Sequence, residues 1–224
     1  MRTVYLFVAF ILTMTACVNL DEEESPTQFF DYGIITDNST GIQITTDSLS
    51  VLYSPSTPTY LEPKIGERVM VVFSIASEGS EALGYDKKIS ISDLKSIQLR
   101  NVLNIDQTVL DTLRNEPISS STFWVGNHYI NFEVKYAGTS SVVHDFYLGY
   151  DPAEQNITGK TVLTFYHDKN NDSETYPYWT IRSFDLNSIS WTGTKPYPAV
   201  IRYKTSTTTT KDVEFSYNPL TATE

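Results

Sequence analysis

The chain has 224 residues, 40% hydrophobic and 19% charged, which fits one large or two small domains and excludes general disorder. Its formal net charge is −11 and Lys and Arg are nowhere clustered, so nucleic acid is excluded as a partner. Fifteen tyrosines, with abundant Phe, Thr, Val and Ile, favour strands over helices.

Residues 1–16 read as a signal peptide. Arg2 supplies a minimal positive start, and Val4 to Met14 form an apolar run too short to span a bilayer, which takes about 20 residues. Thr15 and Ala16 are small residues directly before Cys17, the only cysteine. Met14-Thr15-Ala16-Cys17 looks like a bacterial lipobox, in which a small residue fits the peptidase pocket and the thiol accepts lipid. Acylation of Cys17 leaves no thiol free for a disulfide, which suits an exported protein held by its core alone. Each buried methylene of the lipid contributes about 0.8 kcal/mol of membrane anchoring. Residues 17–36 are expected to be the lipidated cysteine and a tether, in which Asp21, Glu22, Glu23 and Glu24 repel one another and stay solvated. Two readings of these acids stand side by side: a plain spacer, and an export tag for the outer leaflet of a Gram-negative outer membrane. The expected address is an outer-membrane lipoprotein with its body facing the surface or the periplasm.

From Gly41 onward strand follows strand. Ile42 and Ile44 share one face, "RVMVVFSIAS" (68–77) is an apolar run of strand length, and Ile89 and Ile91 alternate with Ser90 and Ser92. Residues 37–115 are expected to form a small OB-like barrel. The stretch 104–117 is the one helical pattern, with Val109, Leu110 and Leu113 at helical spacing and Pro117 as its stop; it reads as the connector between two β-units.

Residues 116–224 are expected to form an antiparallel β-sandwich. Gly126-Asn127 marks a tight turn, after which Ile130, Phe132, Val134 and Tyr136 share one face and Asn131, Glu133 and Lys135 the other. Strands are also expected over 142–150, 160–169 and 178–186. The final hairpin flanks "TSTTTT", with Arg202 and Lys204 set to oppose Asp212 and Glu214 across the ladder. The fold class is therefore all-β, without intervening helices.

The stretches "FWVGNHYINFEVKY", "VVHDFYLGY" and "VLTFYHDKNNDSETYPYWTIRSFDL" resemble the NigD-like lipoproteins of Gram-negative bacteria. His167, the loop "DKNNDSE" and Ser183-Phe184-Asp185-Leu186 match the family's strand ending in His, its Asn/Asp-rich loop and its Ser-Phe-Asp-Leu strand end. "IGERVMVVFSI" (65–75), the lipobox and the acidic tether agree, while Tyr166 departs from the Arg expected before the His. The resemblance implies an OB-like barrel followed by a β-sandwich, no established activity and no catalytic residues. An immunity role is implied only through the bacteriocin operon that gives the family its name.

Four groups of residues invite chemistry. Asp168, Asn170, Asp172 and Glu174 alternate as oxygen donors, like the opening of a calcium loop. Ser173 stands where such a loop needs glycine, and Trp179 where it needs a bidentate acid; a polar hairpin turn explains the same letters with fewer demands. His128, His144 and His167 lie on different strands without zinc-ligand spacing, although a sheet brings His144 and His167 within reach. Tyr176, Tyr178 and Trp179 crowd beside a loop and are candidates for stacking on sugar rings, against the ordinary role of strand aromatics in a core. No nucleophile elbow, phosphate-cradling glycine loop or metalloprotease spacing is present. The expected function is thus a non-catalytic, lipid-anchored envelope protein needing no cofactor. Its partners are the membrane, through the lipid, and a protein or glycan; glycan-binding accessory and bacteriocin-immunity roles are the alternatives.

Overall fold

The computed structural model describes residues 26–56, 62–173 and 175–219. Cys17 and the four acids of the tether lie outside the described residues. Five strands close a small barrel: β1 (Phe29–Asp37), β2 (Ile42–Thr46), β3 (Val51–Ser54), β4 (Arg68–Ser80) and β5 (Tyr85–Ser96), in the order β1-β2-β3-β5-β4. Antiparallel pairing of β1 with β4, from Phe29↔Phe73 to Ile34↔Arg68, closes the ring. The inward set of each strand obeys the two-residue period. Ile35, Ile42, Ile44, Leu52, Val69, Val71, Phe73, Ile89 and Leu94 form one buried cluster.

The barrel begins earlier than expected, because all but the last residue of Phe29–Asp37 falls in the stretch read as tether (17–36). Its alternation is masked at Gly33, where a side chain would normally point inward. A Cβ there would stand 2.5 Å from Ile44 Cγ2, so the close approach of β2 demands glycine.

The second unit stacks two sheets. One has the order β14-β13-β11-β10-β7 and the other β6-β12-β9-β8. The strands are β6 (Gln98–Asn101), β7 (Leu103–Asn104), β8 (Ser120–Gly126), β9 (Tyr129–Gly138), β10 (Asp145–Tyr150), β11 (Thr161–Asp168), β12 (Tyr176–Asp185), β13 (Tyr197–Lys204) and β14 (Thr210–Tyr217). Phe132, Phe146, Phe165 and Phe184 meet between the sheets, Phe132 stacking on Phe165 at 4.7 Å and on Phe184 edge to face at 5.8 Å. The hairpin pairs Arg202 with Asp212, joined by two hydrogen bonds of 2.9 Å, while Glu214 instead takes Lys160.

Three differences from expectation share one cause. The pairings β7–β10, β6–β12 and β11–β13 are parallel, so the sandwich is mixed. Parallel partners come from distant segments and leave no hairpin signal in the sequence. Consequently β6 and β7 already belong to the sandwich, and the unit starts near residue 98 rather than 116. The expected connector helix shrinks to α1 (Gln107–Leu110), capped by Asp106 Oδ1 accepting from the Val109 amide, and it lies within the sandwich unit. A second helix, α2 (Pro152–Thr158), was not anticipated, although Asp151 at its N-cap, Pro152 and the left-handed Gly159 are ordinary start and stop signals.

The two units meet at Arg68. Its side chain has no exposed surface, and its Nη1 and Nη2 donate to the two Asp47 carboxylate oxygens at 2.5 and 2.7 Å. Nη2 also donates to Asn131 Oδ1 of β9 at 2.9 Å, and Nε to Ser183 Oγ of β12 at 3.4 Å. The Tyr129 ring covers the guanidinium at 4.5 Å. Asn131, on the face that alternation assigns to solvent, is fully buried because the barrel covers it. Gly126 completes the fit, since a Cβ there would stand 2.3 Å from Asp47 Oδ2.

Removing one partner of such a buried pair leaves a charge unpaired, so Asp47→Ala is expected to destabilise by about 3–5 kcal/mol. Guanidinium melts followed by tryptophan fluorescence measure it. Trp124 packs at a tilt against Tyr32 of the barrel, ring centres 5.1 Å apart, and so reports the junction directly.

Candidate functional site

The loop after β11 scatters the oxygens that the sequence places in series. Asn170 and Asn171 adopt left-handed backbone (φ 50° and 64°) and turn the chain tightly. Asp168 Oδ1 accepts from the Asn170 amide at 2.8 Å. The Asn170 side chain donates to Val143 O and Asp145 Oδ2 at 2.7 and 3.0 Å. Asp172 turns inward and accepts from the Thr139 amide and hydroxyl and from the Ser173 amide. Among the described residues no three His, Cys, Asp or Glu side chains converge as a metal cage, and Glu174 lies outside them.

Asp172 instead ends a buried chain. His144 Nε2 lies 2.9 Å from Asp172 Oδ2, His144 Nδ1 lies 2.8 Å from His167 Nε2, and His167 Nδ1 lies 3.2 Å from Pro117 O. Both ends of this chain are acceptors. Making all three contacts hydrogen bonds therefore takes three ring protons on two imidazoles, one positive charge beside the carboxylate. Burial alone pushes the Asp172 carboxyl up. Hydrogen bonds from the Thr139 hydroxyl, His144 and the Thr139 and Ser173 amides outweigh it and hold the carboxyl well below the usual carboxylate range. All three side chains are buried, so the chain ties the ends of β9, β10 and β11 together and presents nothing to solvent.

Because the folded carboxyl titrates lower than the unfolded one, Asp172 contributes stability above the ordinary carboxylate range. That contribution drains as pH falls toward the folded value. Asp172→Asn is therefore expected to melt earlier at neutral pH and to lose less stability on acidification. Denaturant midpoints measured across that range for both proteins check this.

The aromatic stretch at the start of β12 divides between two faces. Tyr178 lies opposite Tyr136 and stacks on it at 6.0 Å, whereas Tyr176 is 62% exposed at the strand's tip. Trp179 faces the barrel side and keeps 57% of its surface exposed, with Lys95 Nζ of β5 5.0 Å from its ring. Sequence reasoning found Trp179 but missed what the barrel sets beside it. Register places Phe30 opposite Val72, Tyr32 opposite Met70, and Met70 opposite Lys95. Phe30 is 67% exposed and lines, with Met70 and Val72, a shallow hollow of about 440 Å³. Met70 also lines a cleft of about 60 Å³ with Lys95, Trp179 and Arg182, so one surface runs from the barrel onto the sandwich. The outward alternation of Met70 and Val72 against inward Val69 and Val71 was the available signal.

A closed five-stranded barrel joined to a mixed sandwich, with an aromatic face across the join, defines a two-unit all-β protein. The NigD-like C-terminal beta sandwich domain matches residues 101–217, and the chain belongs to that family. Solved structures share the whole architecture. A protein of unknown function from Bacteroides vulgatus superposes with a TM-score of 0.73 at 15% identity, covering 88% of this chain and 96% of its own. A NigD-like immunity protein from Bacteroides caccae gives 0.62 at 20%, covering 87% and 98%. A protein from Bacteroides fragilis designated a lipoprotein gives 0.61 at 14%, covering 88% and 100%. At these identities the likeness is one of fold. No curated protein matches the chain.

Proposed function

We propose that the chain is a lipid-anchored protein of the bacterial outer membrane with a non-catalytic binding or accessory role. In this reading it meets a protein or glycan partner through the face that runs from Phe30 over Met70 to Trp179. The observation that carries this reading is the exposure of Phe30 and Trp179 on one surface shared by both units. The ionisable side chains in the body support a non-catalytic role. Arg68 is spent on Asp47, His144 on Asp172 and Arg202 on Asp212 and Glu154. The anchor is supported by Cys17 behind two small residues and by the lipoprotein designation of the Bacteroides fragilis neighbour. An immunity role is supported by the designation of the Bacteroides caccae neighbour alone.

Mass spectrometry of the native protein is expected to show acylated Cys17 as the first residue, and Cys17→Ser is expected to leave the membrane fraction. An unmodified thiol or a different start overturns the anchor. Loss of the protein from intact cells treated with protease is the result expected if the body faces outward.

A further inference from the structure

The mouth of the barrel holds two charges of opposite sign that the fold leaves unpaired. Asp31 lies opposite Val71 of β4 and alternates along β1 with the inward positions Gly33 and Ile35, so its side chain belongs to the inward set. Lys87 lies opposite Leu52 of β3 and two residues before the buried Ile89, which places it inward on β5. Both line a cavity of about 240 Å³ at this end of the barrel, walled by Phe29, Leu52, Phe73 and Ile75. The rings of Phe29 and Phe73 stand side by side there, their centres 5.9 Å apart.

Neither charge has a counter-ion within ion-pair distance among the described residues. Asp31 Oδ1 accepts from the Tyr32 amide at 2.7 Å, and the Arg68 guanidinium that shares its field is committed to Asp47. Glu78 stands opposite Lys87 in register but is exposed and forms no ion pair with it. Asp86, the neighbour of Lys87 in sequence, accepts from the Val51 amide at 2.7 Å. Burial pushes the Asp31 carboxyl up by more than the Tyr32 amide lowers it, so its charged form is disfavoured where it stands. An ammonium group brought to it removes that penalty and meets aromatic rings as well.

The pair of charges narrows the ligand. A simple cation entering the mouth is repelled by Lys87, and a simple anion by Asp31, whereas a zwitterion answers both. The walls between them are apolar. The volume is that of roughly eight waters at ~30 Å³ each, which suits a molecule of about nine non-hydrogen atoms, the size of leucine. We propose that the barrel mouth binds a free apolar amino acid as its zwitterion, with the ammonium at Asp31, the carboxylate at Lys87 and the side chain against Leu52 and Phe73. This site lies within the barrel rather than on the face from Phe30 to Trp179, and it goes beyond the reading given above.

Calorimetry at pH 7 on the full mature protein in lipid nanodiscs, where no detergent competes for the apolar walls, tests the assignment. The probes are L-leucine, 3-methylbutylamine (leucine without its carboxylate), 4-methylpentanoate (leucine without its ammonium) and glycine (no apolar side chain). Saturable binding of L-leucine is expected, with each of the other three weaker by about tenfold or more. Asp31→Asn and Lys87→Met are each expected to weaken leucine binding by about tenfold or more, as loss of a charge-assisted contact does. Asp31→Asn removes a desolvated charge, so its melting temperature is expected to hold or rise. Binding lost from a protein of preserved melting temperature supports a ligand role over a structural one.

Absence of saturable leucine binding overturns the proposal. Equal binding of 3-methylbutylamine removes the seat for the carboxylate, and equal binding of 4-methylpentanoate the seat for the ammonium; either overturns the zwitterion assignment. Glycine binding as tightly as leucine overturns the apolar part of it. Unchanged leucine affinity in Asp31→Asn or Lys87→Met places the ligand elsewhere and overturns the site.

Discussion

A guanidinium with no exposed surface sits where the barrel meets the sandwich, and everything else in the architecture is arranged around satisfying it. Arg68 brings one charge and five donors out of water. The desolvation of such a group is large and is offset only by close geometry, which Asp47 supplies with two parallel contacts and Asn131 and Ser183 complete. These partners come from the turn after β2 and from two sandwich strands, so the contacts form together only when both units are folded and docked in one orientation. A purely apolar join would bury the same area with less directional preference. The ion pair is therefore better understood as setting orientation than as adding net stability.

That constraint reaches the exposed face. Lys95 belongs to the barrel and Trp179 to the sandwich, yet their 5.0 Å contact lies beside the Arg68 junction. Serine 183, which bonds to Asn131 at 2.6 Å and receives Arg68, is four residues along β12 from Trp179 on the same outward face. Fixing Ser183 against the barrel thus fixes where Trp179 stands relative to β5. A surface assembled from two units keeps its shape for a ligand only if the units do not rock. The buried charge supplies that rigidity through directional bonds.

The legible parts of the sequence were those whose physics is local. The inward set of β9, Ile130, Phe132 and Val134, is buried as its period-two pattern requires, and the last hairpin takes one of the two charge pairs expected, Arg202 with Asp212, while Lys204 falls opposite Thr210. The illegible parts depend on distant partners. Asn131 read as a solvent residue because alternation identifies which residues share a face, but not what covers it. The tether concealed β1 because Gly33, required by the approach of Ile44, interrupts the apolar pattern. Tyr178 and Trp179 read as one aromatic cluster although neighbouring residues on a strand must point to opposite sides. The proximity of His144 and His167 was visible as strand positions. Their link to Asp172 and Pro117 O was not, because it needs the left-handed turn at Asn170 and Asn171 to carry Asp172 inward.

The charge distribution sets how such a face works. A chain with a formal charge of −11 repels anions at a distance, but at physiological ionic strength that repulsion is screened over about 8 Å. Inside that range the local charges decide, and beside Trp179 at the join the local charge is Lys95. The join therefore sets a local cation against a negative background, and one buried arginine holds the two units that frame it in register.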